Sequence, residues 1–226
     1  MQQTKSKKRL HILSGSALLE KLKEAGAMEA DAEYIPFNEA MCWGETDREI
    51  FSEAFVQKRL AAHQTTLPKY QKTVLEPLEP LFQKEFDRMI LWFGTDMFCQ
   101  MNLLTVLAYL EQNGFEGNVL LRTACGRAED VFSAPAEIGL GGYHTIYEAV
   151  LYRRRLPDME MPELLRQAAE RYLTYRGQSS PIMVYIRAHA DSPDLVRQLL
   201  ERFPEYGLGD SQYESLIRQA KSSRME

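Results

Sequence analysis

Cysteine is scarce in this chain: 226 residues hold three, Cys42, Cys99 and Cys125, widely spaced and odd in number. No Cys-x-x-Cys occurs, and none of the four histidines stands at helical spacing from another. A disulfide framework and a structural zinc site are both excluded on that pattern. Long apolar runs are also missing. None approaches the roughly 18 residues that span a bilayer, so no membrane partner is expected. The basic start, Met1 to Arg9, is followed only by the short apolar piece Leu10 to Leu13. That is too little for a signal peptide; residues 1–8 are expected to be a disordered tail and the location cytoplasmic.

Excess positive charge is the third absence. The net charge is −5; residues 151–226 carry twelve Lys and Arg against eleven Asp and Glu, a net of +1, which leaves −6 for residues 1–150. Neither part has the electrostatic footprint of phosphate-backbone binding, which argues against nucleic acid as a partner. The glycine fingerprints are absent as well: no Gly-x-x-x-x-Gly-Lys, no Gly-x-Gly-x-x-Gly and no Gly-x-Ser-x-Gly.

What is present reads as α/β. Arg9 to Leu13 is a short strand, Ser14-Gly15-Ser16 a polar turn, Ala17 to Ala25 a helix, and Tyr34 to Phe37 a second extended run. Strand, helix and strand within about thirty residues form a right-handed βαβ unit with parallel strands. Asp47 to His63 and Leu67 to Phe86 read as helical, an insertion over 46–86 before the third strand. Met89 to Phe93 is the clearest strand. Thr95 or Asp96 caps a helix of about seventeen residues, with Leu103, Leu104, Leu107, Ala108 and Leu110 on its core face. Asn118 to Arg122 is the fourth strand.

An open, mostly parallel Rossmann-like sheet of about four strands in the order 2-1-3-4 follows, occupying residues 9–135. A helical C-terminal region, residues 140–226, is expected to follow it. Pro162 to Arg176, Pro181 to His189, Pro193 to Phe203 and Ser211 to Lys221 are its helices, with prolines in three first turns.

In that order the switch point lies between strands one and three and joins Ser14-Gly15-Ser16 to Gly94-Thr95-Asp96. Free N–H groups, hydroxyls and the positive helix end make Ser14, Gly15 and Ser16 an anion cradle, or else a serine simply caps the helix. Asp96, with Thr95 beside it and Gln100 one turn on, is a general base, a holder of Mg2+ through water, or a cap. Glu39 also points to the carboxyl edge as a catalytic candidate. Arg59 either meets a phosphate or pairs with Glu39, although a solvated helix charge is the commoner role. Trp43 is a candidate wall. His11 reads as a buried, hydrogen-bonded histidine and Cys99 as a small buried hydrophobe, with a helix-end nucleophile as its alternative.

Several stretches resemble a bacterial family, the domain-of-unknown-function family eighteen-thirty-five. They are His11 to Leu18, Asn38-Glu39-Ala40 with Gly44, Leu91-Trp92-Phe93-x-x-Asp96-x-Phe98-x-Gln100-x-Asn102-Leu103-Leu104, and Gly207-Leu208-x-x-Ser211-x-x-Glu214-x-x-Ile217. The resemblance carries no established activity. The family usually has Asn-Gly-Asp where this chain has Ser14-Gly15-Ser16, and commonly Asp at Cys99. A metal or proton-transfer role resting on those carboxylates therefore does not carry over.

The expected function is binding of a small anionic ligand, a nucleotide or phosphorylated metabolite, with phosphate-group transfer or hydrolysis as the fitting reaction class. The alternative is a regulatory or adaptor protein whose helical region contacts a protein or DNA; Gly207-Leu208-Gly209 and the following helix have the outline of a helix-turn-helix, but Glu214 would meet phosphates unfavourably and the near-neutral charge offers no steering, so helical packing is the better account of them.

Overall fold

Short apolar runs with few polar interruptions suit strands buried on both faces, and they form the sheet. The computed structural model describes residues 8–83, 85–124 and 132–222. The expected tail lies outside these except for Lys8, as does Cys125. The parallel strands are β1 (Arg9–Leu13), β2 (Ala32–Pro36), β3 (Arg88–Phe93) and β4 (Asn118–Thr123), and β5 (Ala136–Ile138) closes the order 2-1-3-4-5. Leu13 pairs with Pro36 on one side and Trp92 on the other, and Phe93 pairs with Thr123. The sheet thus has one strand more than the sequence predicts. β5 runs antiparallel to β4, with Val119 opposite Ile138. Its three residues, Ala-Glu-Ile, are too few to show a period-two pattern.

α1 (Ser16–Glu24) covers one face of the sheet. The crossover after β2 holds α2 (Glu53–His63), α3 (Leu67–Tyr70), a π turn (Gln71–Leu75), a 3-10 turn (Glu76–Leu78) and α4 (Glu79–Phe82). α5 (Met97–Gln112) links β3 to β4. The helical region consists of α6 (Tyr143–Tyr147) with a π turn to Tyr152, α7 (Glu163–Thr174), α8 (Pro181–Ala188), α9 (Leu195–Arg202) and α10 (Asp210–Ser222). Among the described residues no helix is long and apolar enough to cross a membrane.

Two expectations change. α2 starts at Glu53 rather than Asp47, because the Ser52 hydroxyl caps it by accepting from Phe55 N at 3.1 Å. The preceding residues instead follow tertiary contacts. The Gln112 carboxamide clamps both backbone groups of Ile50, and Phe51 takes φ +62° amid Phe37, Phe55, Phe82 and Tyr109. Positive φ is rare for an aromatic residue, so packing decides it there.

The second change concerns α5, which has no solvated face. Met97 and every residue from Gln100 to Leu110 are buried. A helix apolar all round lies inside the molecule, and α5 packs against α6 and α7 as well as against β3. One buried cluster runs from Leu10, Leu91 and Phe93 through α5 to Leu165, Tyr172, Ile182 and Tyr213. The parts expected as separate units share that core.

On the α1 side, His11 stacks on Tyr34 with centroids 4.1 Å apart and accepts from Trp92 Nε1 at 3.0 Å through Nδ1. Nδ1 is therefore the lone-pair nitrogen and Nε2 carries the proton; Nε2 has no hydrogen-bond partner. Burial, reinforced by Arg9 and Arg122 and opposed by Glu29, lowers the His11 pKa to about 4. The unfolded chain binds this proton near pH 6.5 and the folded chain only near pH 4. Stability is therefore expected to fall as pH drops through that window, by at most about 3 kcal/mol. Denaturant unfolding of the wild type and of His11→Asn at pH 7 and pH 4.5 checks this; identical pH responses would refute it.

Candidate functional site

The chain turns sharply at the carboxyl ends of β1 and β3, and the two turns meet. Ser14 N donates to Trp92 O at 3.0 Å. Gly15 then adopts φ +130°, a region essentially reserved for glycine, and opens α1. The expected serine cap is not formed. Asn38, just past β2, supplies the cap: its Oδ1 accepts from both Ser16 N and Ser16 Oγ at 3.0 Å. Its Nδ2 donates to Thr73 O at 2.9 Å. Ser16 and Thr95 are exposed, while Ser14 and Gly15 are half-buried.

Asp96 caps α5, its Oδ1 accepting from Cys99 N at 2.8 Å. Gly94 packs so closely here that a Cβ on it would lie 2.7 Å from Asp96 Oδ2. From the other end of the chain Gly207, at φ +63°, rests on the same carboxylate; its Cβ would sit 2.0 Å from Oδ1. Asp96 is thus a cap and a contact for the closing turn, and its residue is half-buried. The Cys99 side chain packs on Gly94, where an added Cβ would lie 3.2 Å from Sγ. Burial and the Asp96 charge raise its pKa well above the ordinary value, the opposite of the lowered pKa that activates a helix-end thiol.

Gln100 and Asn102 are splints. Gln100 Nε2 donates to Gly94 O at 2.7 Å. Asn102 Oδ1 accepts from Met41 N at 2.9 Å and its Nδ2 donates to Glu39 O at 2.6 Å. Their polarity on an apolar helix serves neighbouring backbone, as buried amides generally do.

Glu39 and Arg59 are paired inside the protein, side chains 0% and 1% exposed, with Nη2 to Oε2 at 2.9 Å. The solvated reading of Arg59 is thereby corrected. Its guanidinium also donates to the carbonyls of Ala40, Trp43 and Glu45 at 2.7–3.0 Å, winding the loop after β2 around one cation. Glu39 further accepts from Ala40 N at 3.1 Å and from the Tyr70 hydroxyl, and lies 2.9 Å from His63 Nε2. Burial alone would raise the Glu39 pKa; Arg59, His63 and Tyr70 outweigh it and hold it at about 2. Gly44, φ +73°, lets the loop lie against α2, since a Cβ there would be 2.2 Å from Ala62 Cβ.

Trp43 is half-buried, and Arg176 stacks on it at 4.5 Å from the ring centroid. Arg154, at φ +56°, donates to Gly44 O and the Tyr172 hydroxyl, and lies over the Tyr172 ring. Burial, reinforced by Arg176 and Arg59, lowers its pKa from the ordinary value. The Tyr175 hydroxyl donates to Cys42 O at 2.7 Å. Among the described residues neither Arg154 nor Arg176 has a carboxylate within ion-pair distance. Both were missed in the sequence, where nothing separates them from other helical-region arginines. The outline of a DNA-reading helix is not supported either: α10 buries Tyr213, Leu216 and Ala220. Among the described residues no group of three or more His, Cys, Asp or Glu is placed to hold a metal.

Replacing Arg59 by Met strands a buried carboxylate and three loop carbonyls, so a loss of about 3–5 kcal/mol is expected in urea unfolding. Glu39→Gln should cost less, because Arg59 keeps its carbonyl acceptors. The stabilisation from Glu39 is fully present above its unfolded pKa and is lost as pH falls toward 2. Equal losses for the two variants would contradict the central role of Arg59. Comparison of the chain with protein-family models, curated proteins and solved structures finds no match.

Proposed function

We propose that the protein binds a small anionic ligand, a nucleotide or phosphorylated metabolite, at the carboxyl edge of the sheet where the ends of β1 and β3 adjoin. The supporting observations are the exposed first turn of α1, capped by Asn38, and the loop that follows Asn38, on which Arg176 stacks at Trp43 and Arg154 bonds to Gly44 O. A helix start attracts negative charge through its N–H groups and dipole. Guanidinium groups with no carboxylate partner complement phosphate oxygens, and an indole face stacks on a base or sugar. Strain at a residue such as Arg154 is tolerated where the surrounding structure holds it, commonly at a ligand clamp.

Asp96 and Glu39 serve in this reading as supports, the first under Gly207 and the second beneath Arg59. Binding is accordingly the whole of the proposal, and no reaction is assigned. The resemblance to family eighteen-thirty-five belongs to the same proposal, with Cys99 packed on Gly94 where the family commonly has Asp.

Thermal unfolding with ATP, pyrophosphate or inorganic phosphate tests this. At ligand near 100 times Kd the midpoint should rise by roughly 5–10 °C. Trp43→Ala and Arg176→Gln should reduce that rise, whereas Arg153→Gln, whose guanidinium pairs with Glu148, should leave it intact. No rise with any of the three anions, or equal effects of the Arg153 and Arg176 changes, rejects the site.

A further inference from the structure

The helical region carries a cavity of about 290 Å³, bounded by α6, the π turn that extends it and the loop leading to α7. That volume lies at the lower limit of the usual range for small-molecule sites, so the fitting occupant is small. Ala149, Pro157 and Met159 are its apolar lining. Met159 is held in place from two sides. A Cβ on Gly142 would lie 2.7 Å from its Cε, and its carbonyl accepts from Arg166 Nη2 at 3.4 Å.

Two polar groups on the same lining give the cavity a chemistry, Arg155 and Thr145. Both residues are exposed, and the Arg155 side chain keeps 53% of its surface accessible. Among the described residues neither the Arg155 guanidinium nor the Thr145 hydroxyl has a hydrogen-bond partner. Asp158 stands 4.0 Å from Arg155 Nη1, beyond hydrogen-bond reach, and is itself fully exposed. An exposed pair at that distance contributes little. The other charges on the lining are matched: Glu148 accepts from Arg153 and pairs with Arg48 at 3.3 Å. The backbone fixes where Arg155 stands. Arg153 N donates to Glu148 O at 2.9 Å and Arg155 N to Ala149 O at 3.0 Å, with Arg154 between them at φ +56°. A non-glycine residue keeps that conformation only where its surroundings hold it. Arg154 bonds instead to Gly44 O and the Tyr172 hydroxyl and takes no part in the lining.

We propose that this cavity is a second ligand site, which takes a small monocarboxylate with a short aliphatic tail. The Arg155 guanidinium receives the carboxylate oxygens in its planar fork, and the Thr145 hydroxyl donates to one of them. The tail lies on Ala149, Pro157 and Met159. One unmatched guanidinium suits a single carboxylate better than a phosphate dianion, and the apolar lining selects a ligand with a tail over a bare anion. The site uses neither Trp43 nor Arg176, so it does not depend on the anion reading at the carboxyl edge.

Amide-resolved NMR titrations of the full chain with isovalerate, its neutral isostere isovaleramide, acetate and inorganic phosphate test the assignment. Isovalerate should shift the amides of Thr145, Ala149, Arg155 and Met159 and bind at least about fivefold more tightly than the other three probes. Arg155→Gln should remove that preference. Asp158→Asn, which deletes a competing carboxylate, should tighten isovalerate binding. Both positions are exposed, so amides distant from the cavity should keep their places in both variants. Isovalerate binding no tighter than any other probe, shifts confined to another region, or an undiminished preference in Arg155→Gln would overturn the proposal. So would weaker binding in Asp158→Asn, or no shift at about 20 mM isovalerate, a concentration well above a millimolar Kd.

Discussion

A single buried guanidinium organises the edge of the sheet where the candidate site lies. Arg59 has no contact with water to speak of, and each of its nitrogens is occupied: by Glu39, and by the carbonyls of Ala40, Trp43 and Glu45. A loop leaving a parallel strand must satisfy its backbone polar groups somewhere. Here several carbonyls converge on one cation, whose charge the Glu39 carboxylate balances. The desolvation of both ions is tolerated because nearly every hydrogen-bonding position is filled. Asn102 secures the same loop from α5, and Gly44 permits its approach to α2. The position of Trp43, and hence of Arg176 stacked on it, follows from this arrangement.

The helical region is a structural partner of the sheet. α5 is buried between the sheet and the helical region, in contact with β3, α6 and α7. Tyr175 reaches back to Cys42, Arg154 to Gly44, and Gly207 to Asp96. Three distant points of the last third of the chain thus touch the carboxyl edge. The turns after β1 and β3 are joined by the hydrogen bond from Ser14 N to Trp92 O, and the Cys99 side chain packs on Gly94 beside it. Polar side chains that resemble reactive groups in the sequence therefore act here as fasteners between backbone segments, while exposed Ser16 and the Trp43–Arg176 pair remain outward.

The two edges of the sheet offer opposite chemistry. The carboxyl edge presents a helix start and two arginines with no carboxylate partner in the described residues. The amino edge presents a cavity lined by Phe86, Tyr109 and Phe115, with the acidic residues Asp87 and Glu116 among its lining. Parallel strands make such a division natural, because all their carboxyl ends lie on one side and each crossover returns the chain across the sheet.

Local patterns carried the architecture. Apolar runs and alternation identified β1, β3, β4 and α5, and setting strands three and four beside strand one, away from strand two, gives the order 2-1-3-4, which the sheet extends to 2-1-3-4-5. The proline-led helix starts were legible too, since Pro181 opens α8 behind the Ser180 cap. The three residues of β5 carry no period, and the helix expected from Asp47 yields to Gln112, whose hold on Ile50 spans 62 residues of sequence. Likewise the residue types at the candidate site were readable, but their roles were not. Whether Arg59 meets solvent, whether Asp96 is open, and which arginines approach Trp43 depend on segments far apart in the chain. Hydrophobic periodicity is a property of neighbouring residues and is written locally. Burial of a charge and the partner that satisfies it exist only once distant backbone has been brought together.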